Sequence, residues 1–331
     1  MDRLAELKAY RADPSLNYSF LVQVGKNNLK PFKGSPAAMR GSLVDTWLTT
    51  PEIFNQLYFI TDEERPNGEL ADILNDTFNE VSNQDTEEIE DFKDLLLYNC
   101  KKSNYGGDWT DQTIWKKILK LKNWWILLNL KGDKEIITTK EANYAKKLVN
   151  ILRTDMPGKI IINSNCKFQV PLFGKVLIEN EWINIKGLVD ILDVKDKIII
   201  TDLKTTGYSD LEKLIDEKDY LIQASMYHEL VCQNYPNVDP KNIIFNHLFC
   251  QGYKVTLREL LPIDLEAGKH GREKIGDVNI IGDKQIISKK YYPGYLSLIK
   301  LYLDCKAAGI NHYDFTHHYY EGVSPLKSIY G

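Results

Sequence analysis

The spacing of apolar positions changes character twice along this chain. Residues 35–54, "SPAAMRGSLVDTWLTTPEIF", read as a helix from about Pro36 to Leu48, with Ser35 as a candidate N-cap and Pro51 near the stop. Residues 68–129 read as helical throughout, broken at Gly106-Gly107. "TTKEANYAKKLVNILRTD" (138–155) is a further helix that Thr138 or Thr139 can cap, with Glu141 in its first turn. Beyond it the period drops to two or the apolar run becomes continuous. "CKFQVPLFG", "KVLIENEWINIKGLVDILDV" and "KIIITDLKTT" are strand-like and rich in β-branched residues. Residues 210–234 return to helix, 241–260 give two more strands, and a long helix around 293–307 precedes an aromatic, His-rich tail. Helices, a meander of about three strands, helix, strands and helix predict one α/β domain with a helical lobe in front.

Composition sets limits on this picture. The chain has 331 residues, 43% of them hydrophobic, enough for a sizeable core. A formal charge of −4 argues against a basic, tail-driven nucleic-acid binder. The charge is uneven: residues 62–94 hold 13 acidic side chains against Arg65 and Lys93, a net of −11, which leaves the remainder at +7. That segment reads as a solvated helical face or a flexible insertion, with mimicry or repulsion of nucleic acid as the alternative. Five scattered cysteines without a CxxC pair argue against a zinc ribbon, an iron–sulfur cluster or a disulfide framework. No apolar run approaches a bilayer span, and the acid-bearing N-terminus does not read as a secretory signal. The expectation is a soluble protein in a reducing cytoplasm, without a membrane partner.

The candidate chemistry lies in "GLVDILDVKDKIIITDLKTT" (187–206). Asp202 and Lys204 are i and i+2 on a strand and share a face. Asp190 lies on the preceding strand, and a hairpin closing near Asp196 brings it alongside. Two converging carboxylates repel unless a hard cation lies between them, and such oxygen-rich sites suit Mg²⁺ or Mn²⁺. A lysine beside a hydrated cation supplies positive charge where an attacking water and a phosphoryl oxygen meet, which fits hydrolysis of a phosphodiester. Asp/Glu-x-Lys alone is common. Glu6-Leu7-Lys8, Asp91-Phe92-Lys93, Asp193-Val194-Lys195, Asp216-Glu217-Lys218 and Asp304-Cys305-Lys306 have the same form and are expected on solvated surface or in turns. The triplet at 202 differs because it closes a β-branched run opposite Asp190 and precedes a helix, "YLIQASMYHEL". There Tyr220, Gln223 and Tyr227 project from one side. A purely structural ion pair is the competing reading.

These residues resemble the PD-(D/E)xK nuclease superfamily, and within it the RecB-like and RecE-like exonucleases of bacteria and phages. The matching positions are Asp190 in "KGLVD", Asp202 and Lys204 in "DLKTT", and Gln223 and Tyr227 in "YLIQASMY". "YRADPSLNYSFLVQV" followed by "SPAAMRGSLVDTWLTTPEIF" resembles the opening of the RecE-like branch. The resemblance covers 10–60 and 135–235 well and the rest loosely. It implies a restriction-endonuclease-like core, a central mixed β-sheet flanked by helices, with an N-terminal or inserted helical lobe. In that reading 1–60 is the N-terminal helical part, 61–134 a helical insertion and 135–331 the nuclease core with its C-terminal helix and tail. Asp190, Asp202 and the Leu203 carbonyl hold Mg²⁺ (or Mn²⁺), Lys204 orients or activates the attacking water, and Gln223 and Tyr227 position the scissile strand. Where the family carries a metal-binding His, this chain has Asp45, either an oxygen ligand or a polar residue on the exposed side of its helix. Gln169 stands where related sequences often carry Glu.

The implied activity is metal-dependent exonucleolytic hydrolysis of DNA, resecting duplex ends for phage-type recombination or repair, in the host cytoplasm if the protein is phage-encoded. Implied partners are DNA, a single-strand annealing protein and further copies in a ring. A structure-specific or single-strand endonuclease, or a weakened nuclease fold acting as a DNA-binding or assembly subunit, are the alternatives. Candidate DNA contacts are Thr205, Tyr220, Lys116 and Lys120 in "WKKILKLKNWW", and Arg272 in a compact basic loop, "GKHGREK". The ordinary reading stands beside these: turn chemistry for Thr205 and Thr206, a packed core for the tryptophans and solvent for the lysines. His312, His317 and His318 in the tail invite a metal reading, with a packed or interfacial tail as the ordinary one.

Overall fold

The computed structural model describes residues 3–26, 36–81, 88–163, 165–281 and 284–309, with backbone alone at 36–37 and 275–290. The first fifty residues give α1 (Arg3–Ala12), α2 (Tyr18–Gly25) and α3 (Pro36–Thr49). Residues 51–147 form a unit of their own. It contains α4 (Phe54–Leu57), β1 (Tyr58–Thr61), α5 (Glu69–Val81), α6 (Lys93–Lys102), α7 (Asp111–Ile118), α8 (Lys122–Leu130) and β2 (Glu135–Thr138), and the start of α9 (Thr139–Thr154). The other unit, residues 1–50 and 148–331, continues with α10 (Met156–Ile161), β3 (Cys166–Ile178), β4 (Glu181–Val194) and β5 (Ile198–Thr205). There follow α11 (Leu211–Glu217), α12 (Tyr220–Asn234), β6 (Ile243–Gln251), β7 (Lys254–Leu260), α13 (Pro262–His270), β8 (Arg272–Ile281), β9 (Lys284–Tyr292) and α14 (Tyr295–Ala307). The unit division is wider than the 61–134 segment expected from the sequence.

In the smaller unit the pattern of α5 accounts for part of the acidic run, Glu69, Asp72, Asp76 and Glu80. Ala71, Ile73, Leu74, Thr77, Phe78 and Val81 are buried, while Asp72, Asp76 and Glu80 face outward at helical spacing. Trp124 and Trp125 of "WKKILKLKNWW" pack into this unit's core beside Phe78 and Phe92. Helix α9 opens with a capping box: Thr138 N–H donates to Glu141 Oε2 at 2.8 Å and Glu141 N–H to Thr138 Oγ1 at 3.1 Å.

The larger unit is built on a mixed five-stranded sheet in the order β3-β4-β5-β6-β7. All neighbours are antiparallel except β5 and β6, which run parallel because α11 and α12 cross between them. The unit is therefore α/β with a central mixed sheet flanked by helices. Its core gathers Ile198 and Ile200 of β5, Phe245 and Phe249 of β6, and Ile222, Met226, Leu230 and Val231 of α12. The run "KVLIENEWINIKGLVDILDV", expected as strand, is divided by a two-residue turn. Glu179 and Asn180 both take positive φ, 45° and 72°, the twist that joins two antiparallel strands most tightly. The helix expected over 210–234 is two helices, because Asp219 adopts φ 55° and restarts the chain into α12. "GKHGREK" is likewise not a loop: it ends α13 and begins β8.

Strand β3 is an edge, and side chains occupy much of it. Lys175 N–H donates to Gln233 Oε1 at 2.9 Å and Gln233 Nε2 donates back to the Lys175 carbonyl at 2.8 Å, reproducing one rung of a ladder. Asn234 Nδ2 donates to the Phe173 carbonyl, and Arg3 to those of Phe168 and Gln169. Gly174 admits Gln233 here, since a Cβ would lie 2.5 Å from Gln233 Oε1. No helix among the described residues is long and apolar enough to cross a membrane. Ser35 and the tail with His312, His317 and His318 lie outside the described residues.

Candidate active site

The hairpin expected at 187–206 forms, and its irregularity builds the site. Strands β4 and β5 pair from Val194–Ile198 to Ile191–Thr201. Past that point a side chain takes over: Leu203 N–H donates to Asp190 Oδ2 at 2.8 Å. Asp190 is thus fixed over β5 at the level of the Asp-Leu-Lys triplet.

Asp202 is sealed at 1% exposure, and its carboxylate is fully occupied. Lys204 Nζ lies 3.0 Å from Oδ1 and 2.7 Å from Oδ2. Gln223 Nε2 donates to Oδ1 at 2.8 Å, and His247 Nδ1 lies 3.0 Å from Oδ2. A carboxylate has about four lone-pair sites, so these contacts saturate it. Lys204 also donates to Gln223 Oε1 at 2.9 Å and sits 4.6 Å from the Tyr220 ring centre. Gln223 Nε2 reaches Tyr227 Oη at 3.2 Å. The helix spacing expected for Tyr220, Gln223 and Tyr227 therefore delivers all three to β5. Gly187 of β4 permits the approach, because a Cβ there would meet the Tyr227 ring and Leu230 at 2.8 Å.

Asp45 comes from α3, which packs on β4 and β5. It does not point to solvent: Gln169 Nε2 donates to both its oxygens, at 2.8 and 2.9 Å, and to Asp190 Oδ1 at 3.1 Å. Gln169 holds φ 47°, a left-handed conformation that costs a non-glycine residue of order 1 kcal/mol or more and persists where its surroundings enforce it. Arg3, bonded to the Phe168 and Gln169 carbonyls, supplies part of that enforcement. One neutral amide thus bridges two carboxylates.

The electrostatics differ accordingly. Burial, and the nearby Asp202, push the Asp45 carboxyl up to about 7 against the bond from Gln169 and the charge of Lys204. Asp190 is raised well above the ordinary carboxylate range by burial and by the charges of Asp45 and Asp202. Burial acts on Asp202 too, but Lys204 and then His247 outweigh it and hold its carboxyl below the usual value. Lys204 is held above the ordinary amine value because the pull of Asp202 exceeds the penalty of burial.

Among the described residues no group of three His, Cys, Asp or Glu side chains has the spacing of a ready-made metal site. The reason is local: the Gln169 amide stands between Asp45 and Asp190, and Asp202 is saturated. The donor chemistry nonetheless fits a hard cation. Asp45 and Asp190 remain partly open, are made of oxygen, and repel one another with only an amide between them.

The other candidates are dispersed. Thr205 lies beside α3, where a Cβ at Gly41 would come within 3.3 Å of its hydroxyl, and Thr206 accepts from Tyr208 N–H in a local turn. Arg272 pairs with Asp216 and stacks on Tyr292 at 5.2 Å. Asp216 also pairs with Lys274 and is buried at 9%, so its triplet is not the solvated surface expected. Lys116 and Lys120 are exposed in the smaller unit. Sequence reasoning missed His247, whose signal was a polar pair, Asn246-His247, inside the apolar run "IIFNHLFC".

Comparison with known proteins adds little. No family model and no curated protein matches the chain. A solved structure described as "Crystal structure of SSO0001" matches at 18% identity with a TM-score of 0.23, over 37% of this chain. The matched part spans 56% of that protein's length.

Proposed function

We propose that this protein is a Mg²⁺- or Mn²⁺-dependent deoxyribonuclease of the PD-(D/E)xK kind, with a restriction-endonuclease-like core, acting as an exonuclease on duplex ends. The observation that carries the reading is the bonded cluster of Asp202, Lys204, Gln223 and Tyr227, from a strand and a helix, with Asp190 of the neighbouring strand fixed beside it by Leu203 N–H. Asp45, Asp190, one oxygen of Asp202 and the Leu203 carbonyl would hold the cation, which when bound supplies Lewis-acid stabilisation of phosphoryl charge. Lys204, whose proton Asp202 helps to hold in the metal-free site, would orient or activate the attacking water and balance charge on a phosphoryl oxygen. Gln223 and Tyr227, linked through Gln223 Nε2, present an amide and a phenol to the scissile strand. Any ligand that takes Asp202 displaces a donor from it, and the donors on flexible chains, Lys204 and Gln223, are the ones then turned toward substrate.

A weakened nuclease fold serving as a DNA-binding or assembly subunit is the second reading. It is favoured by one observation, the Gln169 amide seated where a cation would bridge Asp45 and Asp190. Partnership with an annealing protein, assembly into a ring and a recombination role rest on the resemblance alone.

The test is a divalent-metal assay on linear and closed circular duplex DNA, with Asp202→Ala and Lys204→Ala as controls. Exonuclease action predicts loss of linear duplex only, abolished in both variants. Cutting of closed circles would make it an endonuclease. Retained DNA binding without cleavage would establish the second reading.

A further inference from the structure

His247 and Asp202 are register partners on the parallel strands β6 and β5. Alternation along β6 places Phe245, His247 and Phe249 on one face. The imidazole lies 5.1 Å from the Phe245 ring centre, 5.6 Å from that of Phe249 and 5.5 Å from that of Tyr220, and it is 0% exposed. A carboxylate oxygen only accepts, so Nδ1, 3.0 Å from Asp202 Oδ2, carries the proton. That leaves Nε2 bare in a neutral ring, and Nε2 is buried without a hydrogen-bond partner among the described residues.

The donors around Asp202 therefore fall into two kinds. Lys204 and Gln223 end flexible chains and already share their protons with other acceptors. His247 is a rigid ring walled in by three aromatic side chains, with a single hydrogen bond among the described residues. We infer that His247 is a positioning residue of this site, the fixed donor that holds Oδ2 of Asp202 and leaves Oδ1 as the oxygen offered to a cation. The inference rests on the nuclease reading. It explains why a histidine stands on a strand face otherwise lined by Phe245 and Phe249, and it assigns Lys204 and Gln223, not His247, as the donors that a cation displaces at Oδ1.

The test uses the full chain. In the metal-free protein, ¹⁵N NMR of labelled histidine is expected to show His247 as the neutral Nδ1–H tautomer; an Nε2–H tautomer overturns the inference without any variant. Two substitutions then separate position from packing: His247→Phe fills the space without a donor, and His247→Asn keeps a donor near Nδ1. Calorimetric Mn²⁺ affinity is expected to fall about 10–100-fold in His247→Phe, the usual effect of removing a group that orients a metal ligand. His247→Asn is expected to restore most of that loss, and kcat on DNA should follow the metal affinity while KM for DNA stays put. His247→Phe that melts cooperatively and keeps wild-type Mn²⁺ affinity and kcat overturns the inference. A wild-type protein that neither binds Mn²⁺ nor cleaves DNA instead sinks the nuclease reading, and the inference with it.

Discussion

One hairpin carries two Asp-x-Lys triplets, Asp193-Val194-Lys195 at the end of β4 and in the turn after it, and Asp202-Leu203-Lys204 on β5. Both aspartates are buried, at 7% and 1%, and both are bonded to the lysine two residues on. Their surroundings diverge. Lys195 is half-exposed, at 51%, and beyond it only Asn163 reaches Asp193, whose Oδ1 has no partner among the described residues. Lys204 is 16% exposed, and Asp202 is saturated and lies among two further carboxylates. The triplet itself does not distinguish the two. What separates the two is which face of the sheet each occupies: one lies beside a short helix that ends at Ile161, the other beneath α12 with its amide and phenol. Charge clustering that a structural ion pair does not need is the mark of the second.

The comparison can be broken most sharply by removing the lysines. If the proposed nuclease reading holds, Lys204→Ala is expected to lower phosphodiester hydrolysis by about 10²–10³-fold or more, as loss of one aimed charge does, while Lys195→Ala should leave turnover unchanged. Equal losses in a nuclease assay would show that the two triplets are not different in kind. Next in size, Gln169→Glu replaces the bridging amide by a third carboxylate. The metal-free variant should melt lower than wild type and gain more from Mg²⁺, because only a cation then relieves the repulsion; thermal melts with and without Mg²⁺ read both effects. Third, Asp45 has a raised carboxyl, so the folded state binds its proton more tightly than the unfolded state does. Its contribution is present below about 4 and is lost as pH rises through about 7, in the absence of metal. Asp45→Asn should flatten that decline in melting temperature. The smallest effect is expected from Asp193→Asn, about 1 kcal/mol or less in denaturant unfolding given its half-exposed partner, with no change in activity.

Much of the fold was legible because alternation is strong in β4 and β5 and the helical period is strong in α5, α9 and α12. The break at Asp219 was not, since a single residue in left-handed conformation leaves no trace in periodicity, and an acidic residue is unremarkable there. Within the site, the grouping of Asp190, Asp202, Lys204, Gln223 and Tyr227 follows from strand and helix spacing once the hairpin is drawn. His247 depends on β6 lying parallel beside β5 in one particular register, which no local pattern specifies. The bridging of Asp45 and Asp190 by Gln169 is still less readable, because it joins three segments distant in sequence through a strained backbone held by Arg3.

The side-chain rung that Gln233 forms with Lys175 has a consequence for assembly. An uncovered edge strand recruits strands from other molecules, and here that recruitment is met by an amide, a second amide and a guanidinium from the same chain. At these positions of β3, pairing with a strand of another copy would first have to displace bonds made within the chain. Gln233→Ala would reopen that rung, and the change would first be felt as concentration-dependent self-association, with the bonds around Asp202 untouched.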